Sequence, residues 1–365
     1  MSISQIVQLL GRPHCLIRLI ALGAIVVHTL AACSHGGPVA VPDVSAYLSV
    51  SQWFYGSPLP DPLNYHPGYG ILLSPFGWLS GSQLHLAALV FNGFLAGGVV
   101  LLAAKFSLRI GLSPRLAVFV AALAAVHSSV AVSSRIAWPE TLIVLIILST
   151  TLLVHSRSWL MAGFVSTLSI CVHPRLIVVS MAVILVAAGF RGLRRVIVGS
   201  VIAVFIVAIA LVLTGTWPDA RLEAAQSLRP GPGPMSTAAG QWLALVASTA
   251  GLGALSFSGG LRNDLRRKTD PHRHFLLISA IGMLLLGGWV LAGSERPDTL
   301  LYSRYIAPWS IPLAITGLAA VSQRSVSRRS LLLLSGASLL CIGLVAAETE
   351  HVSGPVRQIM TLDLA

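Results

Sequence analysis

Hydrophobic residues in this 365-residue chain come in long runs that short polar stretches separate. A run of about 20 apolar residues is long enough to cross the hydrocarbon core of a bilayer as an α-helix. The pattern predicts helices at roughly 16–32, 83–104, 116–133, 139–154, 159–172, 176–190, 196–214, 238–258, 274–292, 302–320 and 330–347. We therefore expect an all-α polytopic membrane protein of about eleven spans, with residues 1–365 in a single transmembrane domain.

The longest polar interruption, at about 33–82, predicts a loop with short helices of its own. Its stretch "DVSAYLSVSQWFY" has the apolar spacing of a helix that lies in the membrane interface. The next stretch, "GSPLPDPLNYHPGYG", is rich in proline and glycine and predicts irregular backbone. The stretch "ILLSPFGWLS" is apolar but too short to cross, which favours a re-entrant or interfacial helix.

A second interruption, His173-Pro174-Arg175, separates two short apolar segments at 159–172 and 176–190. Proline ends or kinks a helix because it lacks a backbone N–H. The two segments predict one broken hairpin, with Arg175 facing a cavity.

Composition agrees with a membrane protein, since 55% of the residues are hydrophobic and 10% are charged. A soluble domain carries about 25% charged residues. The net charge of +12 matters mainly through its distribution, because Lys and Arg gather on the cytoplasmic side. With the N-terminus inside, 17 of the 24 basic residues and 2 of the 12 acidic residues are cytoplasmic. This predicts a multi-pass protein of the plasma membrane, N-terminus inside and C-terminus outside, with the 33–82 loop outside.

Several function classes lack support in the sequence. There is no P-loop and no GxGxxG for a nucleotide, and no C-x-x-C for zinc or redox chemistry. The segment "LAAC" ending at Cys33 imitates a lipoprotein signal. We interpret it as the outer end of the first span, because polytopic proteins rarely need an added anchor.

Polar side chains near membrane depth are costly and mark candidate sites. On the outer side they are Asp43, His66, Tyr69, His127, Arg135, Glu140, Arg175, Tyr302, Arg304 and Tyr305. Structural explanations stay open for several of them. Asp43 is a good N-cap, His66 suits a turn, and His127 suits core packing. Arg135 can pair with Glu140 across a turn, and Arg304 can reach the interface.

The outer loop resembles the first extracytoplasmic loop of GT-C glycosyltransferases, which use polyprenyl-phosphate sugars. The resemblance rests on Asp43, Tyr47, Gly56, "YHPGYG" at 65–70 and "LLSP" at 72–75. In addition, "CVHPRLIVV" at 171–179 is similar to the family's span break with an Arg, and "LLYSRYIAP" at 300–308 to its late Tyr-Arg-Tyr segment. Two features differ from many members, namely one acid at the loop start instead of two and no large C-terminal outer domain.

The resemblance implies that a sugar moves from a lipid phosphate to an acceptor hydroxyl with inversion. Such a reaction needs a carboxylate base, here Asp43, and cations that hold the leaving phosphate. The phosphate ligands would be Arg175 and Arg304, with Tyr302 and Tyr305 as hydrogen-bond donors. Tyr47, His66, Tyr69, Glu140 and His173 would contact substrate. No cofactor and no metal are expected, and the sugar would be of the mannose or arabinofuranose class.

The expected partners are the polyprenyl-phosphate donor, membrane lipids and a glycan, lipid or protein acceptor of the cell envelope, with no nucleic acid. The main alternative is a transporter or flippase of an anionic lipid-linked precursor, which would use the same arginines without the chemistry of Asp43. Transporters often have pseudo-symmetric halves with broken helices in corresponding places. The sequence has one such break. A non-catalytic subunit of an envelope assembly is a third alternative.

Overall fold

The computed structural model describes residues 12–34, 42–59, 66–214, 232–258, 270–291 and 303–351. Within these ranges the chain is helical and has no strand, which confirms the predicted class. Its α-helices are α1 Pro13–Ser34, α2 Pro42–Trp53, α3 Gly68–Leu73, α4 Gly81–Arg109, α5 Pro114–Val126, α6 Ser128–Ala131, α7 Glu140–His155, α8 Trp159–Leu168, α9 Ile177–Gly189, α10 Leu193–Thr214, α11 Pro232–Ser248, α12 Leu252–Leu255, α13 Pro271–Leu291, α14 Ala307–Ser322 and α15 Arg328–His351.

Five of these helices are long and apolar enough to cross a membrane, namely α1, α4, α10, α13 and α15. Helix α5 and the residues after it would make a sixth span if the bent pair is counted as one. Further apolar helices of 10–17 residues lie at Glu140–His155, Trp159–Cys171, Pro174–Gly189 and Ala307–Ser322. The lengths support a helical membrane protein with five to six candidate spans in the described residues.

Two segments that the sequence predicts as continuous helices are broken in the structure. The predicted helix is therefore wrong in the second part of each segment. The segment predicted at 116–133 bends by 47° at His127, whose Nδ1 accepts a hydrogen bond from the N–H of Ser129. This side-chain bond offers the backbone an alternative to the helix ladder. The segment predicted at 238–258 ends at Ser248, because Ala250 and Gly251 adopt positive φ angles of 47° and 82°.

The chain divides into two compact units, and the single-domain prediction stays a prediction. The first unit holds residues 1–180 and 193–217. In it α1 packs against α4 and α5, α4 packs against α7, and α8 packs against α10. Small residues make these contacts close: Gly163 of α8 lies against the backbone of Val196, and Gly199 of α10 against that of Leu160. Small residues let membrane helices approach each other in this way.

The second unit holds residues 181–192 and 218–365. Helix α11 packs against α13 and α15, and α12 packs against α14. The indole N–H of the fully buried Trp309 donates to Ser279 Oγ at 2.9 Å, which joins α14 to α13. The short 3₁₀ turn Ser303–Tyr305 precedes α14 and contacts α11, α13 and α14.

Candidate functional site

The candidate base Asp43 lies in the first turn of α2, the helix that the loop pattern predicted. Because α2 begins at Pro42, Asp43 is the second helical residue, which differs from the N-cap position considered above. A carboxylate in a first turn is favoured by the helix dipole. The Asp43 side chain lies outside the described part of the chain. One turn further along α2, Tyr47 is buried with 2% of its surface exposed.

The glycines of "YHPGYG" allow α3 to fit between two neighbours. A side chain at Gly68 would bring its Cβ within 2.6 Å of the carbonyl carbon of Cys171. A side chain at Gly70 would bring its Cβ within 2.5 Å of the carbonyl oxygen of Tyr47. Both positions therefore need glycine, because the nearest atoms that a Cβ would meet belong to the backbone and cannot swing away. These contacts hold α3 between α2 and the turn Ser169–Cys171, which precedes the break at 173–175.

Tyr69 of α3 connects the outer loop to the core of the first unit. Its ring meets the ring of Tyr47 edge-on, with the centroids 5.5 Å apart. Its hydroxyl donates to Asn92 Oδ1 of α4 at 2.9 Å. Burial raises the pKa of Tyr69 far above its ordinary value, mainly through desolvation. The hydroxyl therefore stays protonated and remains a donor to Asn92.

Asn92 also binds the segment that leads into α7. Its Nδ2 donates to the carbonyl oxygens of Ser133 and Trp138, each at 3.2 Å. Glu140, the first residue of α7, follows Trp138 by two positions. One buried amide therefore contacts both the outer loop and the segment that carries Glu140.

Glu140 forms a buried ion pair with Arg175, whose Nη2 donates to Glu140 Oε2. Both residues are 3% exposed. This pair replaces the predicted pairing of Glu140 with Arg135, whose side chain is exposed. It also corrects the expectation that Arg175 faces a cavity, because its guanidinium is enclosed by protein. The carboxylate compensates the buried charge of Arg175, which would otherwise be costly.

The break between α8 and α9 orients a histidine beside this ion pair. The Nδ1 of His173 accepts a hydrogen bond from the backbone N–H of Arg175 at 3.2 Å. A ring nitrogen that accepts carries no proton, so the proton of His173 is on Nε2 in this arrangement. His66, which precedes α3, lies with its ring centroid 5.7 Å from that of His173. Both histidines are half-buried.

Within the first unit, six of the predicted site residues thus belong to one connected group. They are Tyr47, His66, Tyr69, Glu140, His173 and Arg175, and Asn92 lies among them. Arg304 and Tyr305 are half-buried residues of the second unit, in the turn before α14. Tyr302 lies outside the described residues. His127 caps the short helix α6, which is a different role from the core packing considered above.

An apolar groove of about 370 Å³ lies on α4 beside this group. It is lined by Phe76, Gln83, Leu86, Ala87, Val90, Phe91 and Phe94. Phe91 immediately precedes Asn92, so the groove and the Asn92 hydrogen bonds occupy neighbouring faces of the same helical turn. Its lining is mostly apolar, which is compatible with contact to hydrocarbon chains.

Sequence reasoning missed Asn92, although a signal was present. It is a polar residue in the middle of the apolar run "LAALVFNGFLAGG", where an amide is costly unless it is bonded. The described residues contain no group of three or more His, Cys, Asp or Glu that could hold a metal ion.

Comparison of the chain with models of protein families, with curated proteins and with solved structures found no match.

Proposed function

We propose that the chain is a GT-C-type membrane glycosyltransferase. It moves a sugar of the mannose or arabinofuranose class from a polyprenyl-phosphate donor to an acceptor hydroxyl outside the plasma membrane. The proposal includes about eleven spans, with the shorter apolar helices counted among them, the N-terminus inside and the C-terminus outside.

The observation that carries this proposal is the convergence of the candidate residues in the first unit. They come from α2, from the segment before and within α3, from α7 and from the break at 173–175. Four separate segments supply a tyrosine pair, a histidine pair and an ion pair. The backbone N–H of Arg175 links the ion pair to His173, and Asn92 links Tyr69 to the segment before Glu140. Buried polar groups near a membrane are expensive, and such groups in membrane proteins usually mark substrate paths.

The groove on α4 supports a lipid-linked donor in particular. The groove is lined almost entirely by apolar side chains. One of them, Phe91, immediately precedes Asn92 in the chain. A polyprenyl chain is a hydrocarbon, so it would fit such walls while its phosphate stays at the polar group.

The proposed chemistry is a single displacement. The acceptor oxygen attacks the anomeric carbon while Asp43 takes the hydroxyl proton. The bond between that carbon and the phosphate oxygen breaks, the lipid phosphate leaves with the electron pair, and the configuration inverts. Arg175, whose guanidinium has five N–H groups, would be a ligand of the leaving phosphate. Arg304, Tyr302 and Tyr305 would supply further phosphate contacts, and Tyr47, His66, Tyr69 and His173 would contact the substrates.

The decisive variant is Asp43→Asn in the purified full chain in nanodiscs. Asparagine fits a first helical turn but cannot accept the proton, so transfer should fall by roughly 10²–10⁴-fold while the donor still binds. Polyprenyl-phosphate mannose and polyprenyl-phosphate arabinofuranose, each radiolabelled, are offered with envelope extract as acceptor. Asp61→Asn changes an acid of the same loop and is the matched control, which should keep its activity.

Three outcomes separate the alternatives. Transfer by Asp43→Asn at the rate of the unaltered protein would remove Asp43 from catalysis. Arg304→Gln should weaken donor binding, and an unchanged affinity would remove Arg304 from the phosphate contacts. Movement of a labelled donor across a vesicle membrane, with no transfer of its sugar, would favour the transporter.

A further inference from the structure

The side-chain amide of Asn92 makes three hydrogen bonds, one through its oxygen and two through its nitrogen. Its Oδ1 accepts from the Tyr69 hydroxyl at 2.9 Å, and its Nδ2 donates to the Ser133 and Trp138 carbonyls at 3.2 Å each. The residue is fully buried, with 0% of its surface exposed. The three partners also fix which amide atom is oxygen, because a hydroxyl can donate and two carbonyls cannot.

We infer that Asn92 is the positioning residue of this site and holds the two halves of it in register. One half is the outer loop, with Asp43 and Tyr47 on α2 and Tyr69 on α3. The other half is the segment 133–140, which ends at Glu140 and so at its partner Arg175. The inference rests on the proposed function, because it assigns the proton acceptor to one half and a phosphate ligand to the other.

The carbonyls that Asn92 binds explain why an amide is needed there. Ser133 and Trp138 flank the turn between α6 and α7, and the turn backbone must find partners because it is buried beside the core. Buried backbone carbonyls are almost always hydrogen-bonded, and Asn92 supplies two donors at once. Leucine would fill the same space in α4 but would leave both carbonyls and the Tyr69 hydroxyl without this partner.

The side-chain amide of Asn92 binds Tyr69, Ser133 and Trp138, so we expect its effect on the reaction to pass through these partners. If the link is lost, the outer loop can shift relative to the 133–140 segment. The donor would still meet Arg175, but the base would be misplaced. A misplacement of about 1 Å can cost on the order of 10²-fold in rate. We therefore expect a fall in kcat with little change in the donor KM.

The experiment compares Asn92→Leu, Tyr69→Phe and the double variant in the full chain in nanodiscs. Spin labels on cysteines at Tyr55 and Arg135, both exposed, report the distance between the loop and the segment. Thr150→Val is the matched control. Thr150 is also fully buried in the first unit, and its hydroxyl has no hydrogen-bond partner among the described residues.

Asn92→Leu should broaden the distance distribution and lower kcat by about 10–100-fold, with the donor KM changed by less than about threefold. Tyr69→Phe removes one of the three bonds and should broaden the distribution less. The double variant should be no worse than Asn92→Leu, because both changes break the same link. Thr150→Val should leave the distance and both kinetic constants unchanged.

A narrow, unshifted distribution in Asn92→Leu would overturn the inference, whether or not transfer is lost. If Asn92→Leu fails to insert, Tyr69→Phe decides by the same distance measurement. If the unaltered protein transfers no sugar from either donor, the proposed function fails. In that case a broadened distribution would still show that Asn92 holds the loop, and a narrow one would overturn that as well.

Discussion

The buried pair of Glu140 and Arg175 gives a prediction whose magnitude follows from its burial. Each residue is 3% exposed, so replacement of one partner removes the ion-pair partner of a buried charge. Loss of one member of such a pair costs about 3–5 kcal/mol of the free energy of unfolding. We expect this cost for Arg175→Gln and for Glu140→Gln separately.

The double variant Glu140→Gln with Arg175→Gln should be more stable than either single variant. Two neutral amides of similar length can hydrogen-bond to each other, and no charge is then buried. Replacement of a whole buried pair is often close to neutral. The two positions should therefore be strongly coupled, as expected for residues in direct contact.

The measurement is a reversible titration with SDS in mixed micelles, followed by the fluorescence of the chain's 8 tryptophans. Arg135→Gln is the control, since Arg135 is exposed and a surface substitution usually changes stability by less than about 0.5 kcal/mol. A cost below about 1 kcal/mol for both single variants is typical of exposed ion pairs and would refute the argument. Additive costs in the double variant would refute it as well.

The same double variant separates stability from donor binding. Arg175→Gln alone confounds the two, because it also removes the ion-pair partner of Glu140. The double variant should fold yet still lack the guanidinium. We expect it to bind the polyprenyl-phosphate donor more weakly, and an unchanged affinity would leave Arg175 as the counterion of Glu140.

Three further predictions concern other parts of the chain. Gly68→Ala should destabilise the first unit by roughly 1 kcal/mol or more, the cost of overpacking, whereas the control Gly81→Ala places its Cβ in open space and should not. Equal melting temperatures of the two variants would contradict this. Gln241→Met should raise the free energy of unfolding by about 1–3 kcal/mol in the SDS titration, because both polar amide atoms of Gln241 are buried without a hydrogen-bond partner in the described residues. A lower free energy of unfolding would contradict this prediction. In a background without native cysteines, a cysteine at Ser57 should react with an impermeant reagent from outside and one at Ser325 should not; the reverse would invert the proposed orientation.

The helices were predictable because their cause is local. In the hydrocarbon core of a bilayer the backbone N–H and C=O groups must hydrogen-bond within the protein. A single long apolar run satisfies them by forming an α-helix. Several helices begin at a proline, as at Pro13, Pro42 and Pro114, since its fixed φ and missing N–H suit the first turn. The break at Pro174 follows from the same property. The helical class of the protein therefore followed from the pattern of residues alone.

The sequence also indicated the candidate site residues, because polar side chains in apolar surroundings are conspicuous. The sequence left open a pair of Glu140 with Arg135, five positions earlier. The structure instead pairs Glu140 with Arg175, 35 positions later. Sequence distance favours neighbours, whereas a buried pair depends on which helix faces meet.

The sequence pattern around Asn92 and around His127 likewise did not predict their hydrogen bonds. The apolar runs around them predict continuous helices, and nothing in those runs says which buried carbonyls lack partners. The three bonds of Asn92 join α4 to α3 and to the segment before α7, which are far apart along the chain. The bend at His127 accompanies a local bond from the N–H of Ser129. The sequence by itself determined the helices and the chemistry available on them. Only the tertiary structure decided which side chains meet, because those contacts join segments that are far apart along the chain.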